Sequence, residues 1–208
     1  MPKFSILSTD YDKHVPRDKM KQGLETISMQ TFKDFELIIC HDGLKEKTYE
    51  EEGIDFEKLG LNPIIINTDK RNNDWGHTSR DKMLRMAKGD WILHFNIDNI
   101  LYPRCLEKVS EKIDDSAKKL EASEKDPEKF SVIFYIKHWK IYGDGRIFKG
   151  IPPKLMNTDL LQMISSRKIW EEIGYWYNKV ERSDGVIYEK IGADYPWVVV
   201  PEILGENF

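Results

Sequence analysis

Asp90-Trp91-Ile92-Leu93-His94-Phe95-Asn96-Ile97-Asp98-Asn99-Ile100-Leu101-Tyr102-Pro103 is the stretch that decides the fold. Trp91, Ile92, Leu93 and Phe95 are apolar on both faces of an extended chain, the pattern of a strand with layers packed on either side. The run ends in the polar group Asn96-Ile97-Asp98-Asn99, and Pro103, which cannot donate a ladder hydrogen bond, marks the exit from the sheet. Ligands of open α/β sheets bind at the ends of central strands. A carboxylate flanked by two amides at such a place suits a hard divalent cation, which is commonly held by one or two carboxylates together with substrate phosphates. An ordinary Asx turn accounts for the same residues taken alone.

Working outward, the chain alternates strands and helices. Phe4 to Ser8 reads as a first strand, and Thr9-Asp10-Tyr11-Asp12 as its end loop. Pro16 and Asp18 open a helix carrying Met20, Leu24, Ile27 and Met29, closed by Gln30-Thr31. Phe35 to Cys40 is a second strand ending at His41-Asp42-Gly43. This βαβ unit brings both strand ends to one edge of the sheet. The charged segment from Lys45 to Lys58 reads as a solvated surface excursion, and Pro63 to Asn67 as a third strand followed by a polar loop, Thr68 to Trp75. Gly76 to Arg80 leads into a helix with Met83, Leu84, Met86 and Ala87 on its apolar face, stopped by Gly89 in the left-handed conformation that ends many helices. Beyond Pro103 the sequence predicts a helix through Leu106, Val109 and Ile113, and helix plus exposed loop from Asp114 to Lys129. Strands follow at Ser131–Ile136 and Trp139–Tyr142, the latter turning at Gly143-Asp144-Gly145 into Arg146-Ile147-Phe148. Helices at Lys168–Ile173 and Gly185–Ile191 and a short strand at Trp197–Val200 complete the chain.

With 208 residues, 40% hydrophobic and 33% charged, the chain has the balance of one soluble domain. A net charge of -4 argues against a nucleic-acid binder. No run approaches the ~20 apolar residues of a membrane span, and the N-terminus does not read as a signal peptide. The expected location is therefore cytoplasmic. Cys40 and Cys105 lack metal-pair spacing and read as buried or incidental thiols.

Several segments resemble family 2 glycosyltransferases of the GT-A fold. Ile27 to Gly43 is similar to the family's S-x-x-Q-T-x-x-x-[FW]-E signature running into a strand that ends in an acid and Gly. Gly76–Arg80, Ala87-Lys88-Gly89-Asp90-Trp91 and Asn96-Ile97-Asp98-Asn99 resemble its helix, its A-x-G-[DE]-[YW] step and its metal-binding D-x-D region. A weaker block, Ile164 to Arg167, Trp170 to Gly174 and Ser183-Asp184, resembles the acceptor half with its Glu-Asp pair. In length and texture the chain also resembles the compact glycosyltransferase domain of chloroviruses.

The resemblance implies an α/β GT-A domain over 1–208, with a nucleotide-sugar-binding half at 1–103, built on a mostly parallel sheet, and an acceptor-side half at 104–208. It implies transfer of a sugar from a UDP-sugar to the hydroxyl of a glycan or sugar acceptor, with inversion. The nucleotide-sugar site it implies comprises Thr9, Asp10, Tyr11, Asp42, Gly76, His77, Arg80, Asn96 and Ile97. Asp42 would accept from the uracil N3 hydrogen, and Arg80, at a helix N-terminus, would hold the diphosphate. Asp98 would hold Mn²⁺ or Mg²⁺, with Asn99 orienting it, and Asp184 would be the general base. Asp184-Gly185 also fits a plain helix N-cap. The aromatic residues Trp139, Trp170, Trp176, Tyr175 and Tyr177 suit sugar stacking or ordinary packing. Two departures stand out: Asn96 replaces the first acid of the D-x-D, and Ser183 replaces the Glu of the Glu-Asp pair. They motivate a second reading, a nucleotide-sugar- or glycan-binding module of the same fold without turnover. A nucleotidyltransferase ranks last, because Thr9-Asp10-Tyr11-Asp12 is not a Gly-rich, basic loop.

Overall fold

The computed structural model describes residues 1–11, 16–139 and 143–208. Its centre is strand β1 (Phe4–Asp10), which pairs in parallel with β2 (Phe35–His41) on one side and with β4 (Trp91–Asn96) on the other. Strand β3 (Ile64–Asn67) adds to β2, also in parallel. The sheet continues from β4 through β8 (Met163–Ser166), β6 (Ser131–His138), β9 (Trp197–Asn207) and β5 (Ile100–Leu101), with β7 (Arg146–Phe148) paired to β6. The architecture is the mixed α/β arrangement with a mostly parallel central block that the sequence predicts.

Alternation along the strands separates two cores. Phe4, Ile6, Leu37, Ile39, Trp91, Leu93 and Phe95 face one layer, formed with α1 (Arg17–Ser28) and α3 (Cys105–Ala122). Leu7, Ile38, Cys40 and Ile92 face the other, formed with α2 (His77–Met86), α4 (Arg167–Glu172) and α5 (Ser183–Asp194). Every residue of β4 from Trp91 to Phe95 is buried, as a doubly covered strand requires. Cys40 and Cys105 are buried free thiols.

Several signature residues hold the scaffold. Gln30 is buried; its amide donates to the Tyr102 carbonyl at 2.9 Å and its Oε1 accepts from the Leu106 backbone at 3.1 Å, tying α1 to α3. Glu36 accepts from Ser5 Oγ at 2.5 Å and from the backbone N–H groups of Lys88 and Gly89 at 2.6 and 3.1 Å. It thereby ties the turn between α2 and β4 to the start of β1, where Gly89 N also donates to Ser5 Oγ.

The structure corrects some expectations. Gly89 does not adopt a left-handed conformation. It is needed for close approach instead: a Cβ there would lie 2.5 Å from the backbone of Phe4 and Ser5. The Lys45–Lys58 segment is no solvated excursion, because Tyr49, Ile54 and Phe56 are buried in the first core and Lys45 pairs with a part-buried Glu52 at 2.7 Å. The last strand runs to Asn207 rather than ending at Val200. A bulge opposite Phe134, Tyr135 and Ile136 absorbs Pro201, which reads locally as a strand terminator. Strands β5 and β8 were not anticipated; β8 is polar at Ser165, yet that hydroxyl accepts from Ser131 Oγ at 2.9 Å inside the sheet. The strand expected at 139–142 lies outside the described residues from 140 onward, as does Asp12.

Gly23 of α1 packs directly on the polar stretch after β4: a Cβ there would sit 2.1 Å from the Ile97 carbonyl oxygen. Both elements are backbone, so neither yields cheaply. Gly23→Ala is expected to destabilise the fold by about 3 kcal/mol through overpacking, read as a lower urea midpoint at unchanged slope.

Candidate active site

The tips of β1, β2 and β4, together with the loop after β3, open onto a cavity of about 320 Å³. In a parallel block the carboxyl ends of the strands share one edge, and the register sets Thr9 beside both Cys40 and Asn96. The cavity is lined by Thr9, Asp10, Tyr11, Asp42, Gly76, Arg80, Asn96, Ile97 and Asp98, all named from sequence, and also by Arg71, Asn73, Trp75 and Phe208.

Asp42 is nearly buried. Its carboxylate accepts from Thr68 Oγ1 at 3.1 Å, from the Asn72 backbone and side chain at 3.0 Å each, and from Asn73 N at 3.2 Å. Burial pushes its pKa up, but these bonds outweigh burial and hold the carboxyl below its usual range. Oδ2 receives only the two 3.2 Å bonds and keeps capacity to accept from a ligand.

Asp10 is turned the other way. Its side chain has no exposure, and its oxygens accept from Tyr11 N at 2.7 Å, Arg17 Nη1 at 2.9 Å and Tyr49 Oη at 3.0 Å. Arg17 is held in turn by Glu52 at 3.1 Å. The carboxylate that sequence places in the nucleotide site thus fixes the turn that carries Tyr11. Burial and the adjacent Asp10 both raise the Tyr49 pKa, keeping that hydroxyl a donor. The Arg71 guanidinium lies 3.7 Å over the Tyr11 ring.

Arg80 sits in the first turn of α2. It donates to the Trp75 carbonyl at 2.6 Å and to Asn96 Oδ1 at 3.1 Å, and its guanidinium lies 5.3 Å from the centre of the Trp176 ring. Burial lowers its pKa, while the carboxylates of Asp184 and Asp74 oppose that shift; a guanidinium stays protonated throughout. Gly76 has φ of 80°, and a Cβ there would lie 3.1 Å from both Thr9 Cγ2 and Arg80 Nη1, so only glycine lets the loop close on β1.

His77 and Asp184 lie off this cavity. His77 is buried, with its Nε2 3.0 Å from the Val180 carbonyl and its ring stacked on Trp176 at 5.7 Å. Burial and the nearby Arg80 lower the pKa of the imidazole, against the smaller opposing influence of Asp74, the Val180 carbonyl and Asp184. Asp184 stands in the first turn of α5. The residue capping that helix is Arg182 and makes no side-chain cap bond, so the capping alternative for Asp184 does not apply. Asp184 lines a separate cavity of about 140 Å³ with His138, Thr158, Asp159 and Arg182, while its charge still acts on Arg80. Trp170 and Trp176 are buried packing residues, whereas Tyr177 is exposed.

Arg71, Asn72, Asn73, Trp75 and Phe208 were not singled out from sequence. The loop after β3 was legible in principle, since a parallel third strand delivers its end to the same edge. Phe208 carries no local signal.

A model of the family described as glycosyl transferase family 2 matches residues 12–171. The chain belongs to glycosyl transferase family 2. An uncharacterised glycosyltransferase of Methanocaldococcus jannaschii is 33% identical over 107 residues, covering 51% of this chain and 36% of that protein. One of Haemophilus influenzae is 31% identical over 93 residues, covering 45% and 29%. The chain therefore spans about a third of the length of these relatives. The fold is shared with S. aureus TarS 1–349 in complex with UDP, at a TM-score of 0.75 and 15% identity over 99% of this chain and 60% of that one. It is also shared with the mannosyltransferase PcManGT from Pyrobaculum calidifontis in complex with GDP-Man and Mn²⁺, at a TM-score of 0.65 and 15% identity, covering 99% and 56%.

Within this family frame the donor set for a cation is lean. Asp98 is the carboxylate at the end of β4, Asn96 Oδ1 is engaged by Arg80, and Asn99 is buried with neither side-chain polar atom bonded. Among the described residues no cluster of three His, Cys, Asp or Glu side chains is arranged to hold a metal. Such a set fits a Mg²⁺ or Mn²⁺ that takes most of its ligands from a diphosphate and water, and does not fit a resident structural ion. Ser183 is buried and donates to the Asn178 carbonyl, so the hydroxyl standing in the Glu position serves the loop.

Because the Asp42 pKa is lower folded than unfolded, its contribution to stability is complete above its ordinary value of 3.8 and is lost as pH falls through the folded value. Asp42→Asn is expected to cost about 1 kcal/mol at neutral pH. Its urea midpoint is expected to fall less steeply than that of the wild type below pH 4, checked by urea melts across the acid range.

Proposed function

We propose that this protein transfers a sugar from a UDP-sugar to an acceptor hydroxyl, on a glycan or a sugar, in a single inverting displacement assisted by Mn²⁺ or Mg²⁺. The observation that carries the reading is the convergence of Asp42, Arg80 and Asp98 on one cavity at the carboxyl edge of the parallel block. Family membership and the UDP and UDP-GlcNAc complexes of TarS support a nucleotide-sugar donor. UDP is favoured over other nucleotides by the Asp42 carboxylate, a pure acceptor when ionised, matched to the N3 hydrogen of uracil.

In this reading Tyr11, backed by Arg71, flanks the base, with Thr9 and Asp10 shaping the floor beneath the ribose. Gly76 lets the backbone approach the ligand, and Ile97 closes the cavity below it. Arg80, fixed by the Trp75 carbonyl and Asn96, meets the diphosphate with a charge that costs little reorganisation at the moment of transfer. A divalent cation held by Asp98 would supply further neutralisation of the diphosphate as the glycosidic bond breaks. Asp184 takes the proton of the acceptor hydroxyl as that oxygen attacks the anomeric carbon from the face opposite UDP. Its place in a second cavity, outside the nucleotide site yet close enough for its charge to act on Arg80, fits a group that serves the acceptor.

UDP release from a panel of UDP-sugars, with and without Mn²⁺, tests the proposal. Asp184→Ala is expected to lower release by at least about 100-fold while UDP affinity stays the same. Asp98→Ala is expected to abolish the gain in UDP affinity on adding Mn²⁺. A wild type that binds UDP under neither condition overturns the proposal. Binding without release from any donor replaces it with a nucleotide-sugar-binding module, the reading favoured by Asn96 and the sparse metal donors.

A further inference from the structure

Trp75 stands out beside His77, Trp170 and Trp176, whose rings are buried. It is 64% exposed, yet it lines the main cavity beside Gly76 and Arg80. Its backbone is left-handed, with φ of 56°, between Asn73 at 52° and Gly76 at 80°. A bulky side chain at positive φ is a genuine outlier that persists only where its surroundings over-determine it. They do so here from both sides. Asn73 N is bound to Asp42 Oδ2 at 3.2 Å; Asp74 accepts from Thr78 N at 2.9 Å and Thr78 Oγ1 at 2.5 Å; and the Trp75 carbonyl is the acceptor for Arg80 at 2.6 Å.

The indole is also placed by a column of rings. Trp170 stacks on Trp176 at 5.8 Å with planes 8° apart, Trp176 stacks on His77 at 5.7 Å and 19°, and Trp75 lies beyond His77 at 6.1 Å and 41°. The inner three rings are buried, so the outermost is held at the cavity mouth by a rigid support and not by its own burial. The cost of such a backbone, spent on keeping an indole in water, has no return in the packing of this chain.

We infer that Trp75 is a sugar-binding platform: its exposed face stacks against the C–H face of a pyranose ring at the mouth of the nucleotide cavity. An indole offers a flat apolar surface at small entropic cost, and a pyranose offers a matching apolar face framed by hydroxyls. The pyranose is the glycosyl group of the donor or a ring of the acceptor; both present the same surface. This inference rests on the proposed nucleotide-sugar site and adds to it a residue that reads the sugar and not the nucleotide.

Calorimetric titration of the wild type, Trp75→Ala and Trp75→Phe with UDP and with UDP-sugars, followed by acceptor-dependent kinetics, separates the cases. UDP affinity is expected to change by less than about twofold in either variant, which also reports that the site is folded. If the ring belongs to the donor sugar, Trp75→Ala loses about tenfold in affinity for the UDP-sugar, an effect of the size of one ring contact, and Trp75→Phe recovers most of it. If it belongs to the acceptor, donor affinity holds and the acceptor KM rises about tenfold with kcat little changed, again recovered by Phe. Equal losses for UDP and UDP-sugar overturn the inference while leaving the proposed function standing, and so does an absence of change in both assays. A wild type that binds neither ligand overturns both.

Discussion

Parallel pairing of β1 on both of its edges is the constraint from which the rest of the structure follows. Thr9 is in register with Cys40 on one side and with Asn96 on the other, so three strands end at the same height. The residues just past those ends, Tyr11, Asp42 and Asp98, come from widely separated parts of the chain and meet only because the ladder leaves them nowhere else to go. A one-residue slip of β4 would exchange Leu93 and Phe95 with Ile92 and His94 between the two cores, which binds the register to the packing of both layers.

Around that block, polar side chains do the work of fixing turns. Gln30 and Asp10 satisfy backbone or buried donors in the scaffold around the cavity, and both are buried by the elements they join. The Asp10 oxygens and the Gln30 amide oxygen are engaged within the fold. Residues facing the cavity are different in kind: Asp42 Oδ2 retains capacity to accept, and among the described residues Asp98 has no side-chain hydrogen bond or ion pair that would occupy it. Along the edge formed by β2, β1 and β4 the saturated Asp10 thus stands between Asp42 and Asp98, and the turn that it fixes carries Tyr11 to the cavity.

The parallel block, the helices between its strands and the convergence at its edge were legible because buried strands and amphipathic helices leave strong periodic traces. Three kinds of feature were not. Polar residues buried by pairing, as in β8 and at Glu52, look solvated in a linear reading. Gly89 is required by a backbone 84 residues away in sequence, where Gly89 N meets Ser5 Oγ at 2.9 Å, and local turn grammar misassigned it. Asp10 and Asp42 are both acids after a strand, and nothing local distinguishes the one whose partners are Arg17 and Tyr49 from the one whose partners are loop amides. The separation of Asp184 into a second cavity likewise depends on how α5 packs, which spacing alone does not encode.

Asn96 shows how one such departure acts through its neighbours. Its amide oxygen accepts from Arg80, a buried cation that also leans on the Trp176 face. A carboxylate at this position would be drawn into an ion pair with that guanidinium, and in so buried a place the pair would be held tightly. The pair would cancel charge at the spot where, under the proposed function, the diphosphate arrives. With an amide the orienting bond survives while the charge of Arg80 stays available, the largest acidic influence on it being Asp184. The same substitution removes a hard anionic ligand from beside Asp98. Under the proposed function, a site of this composition would shift the neutralisation of the leaving group from cation toward guanidinium, with Arg80 held for that task by the Trp75 carbonyl and the Asn96 amide together.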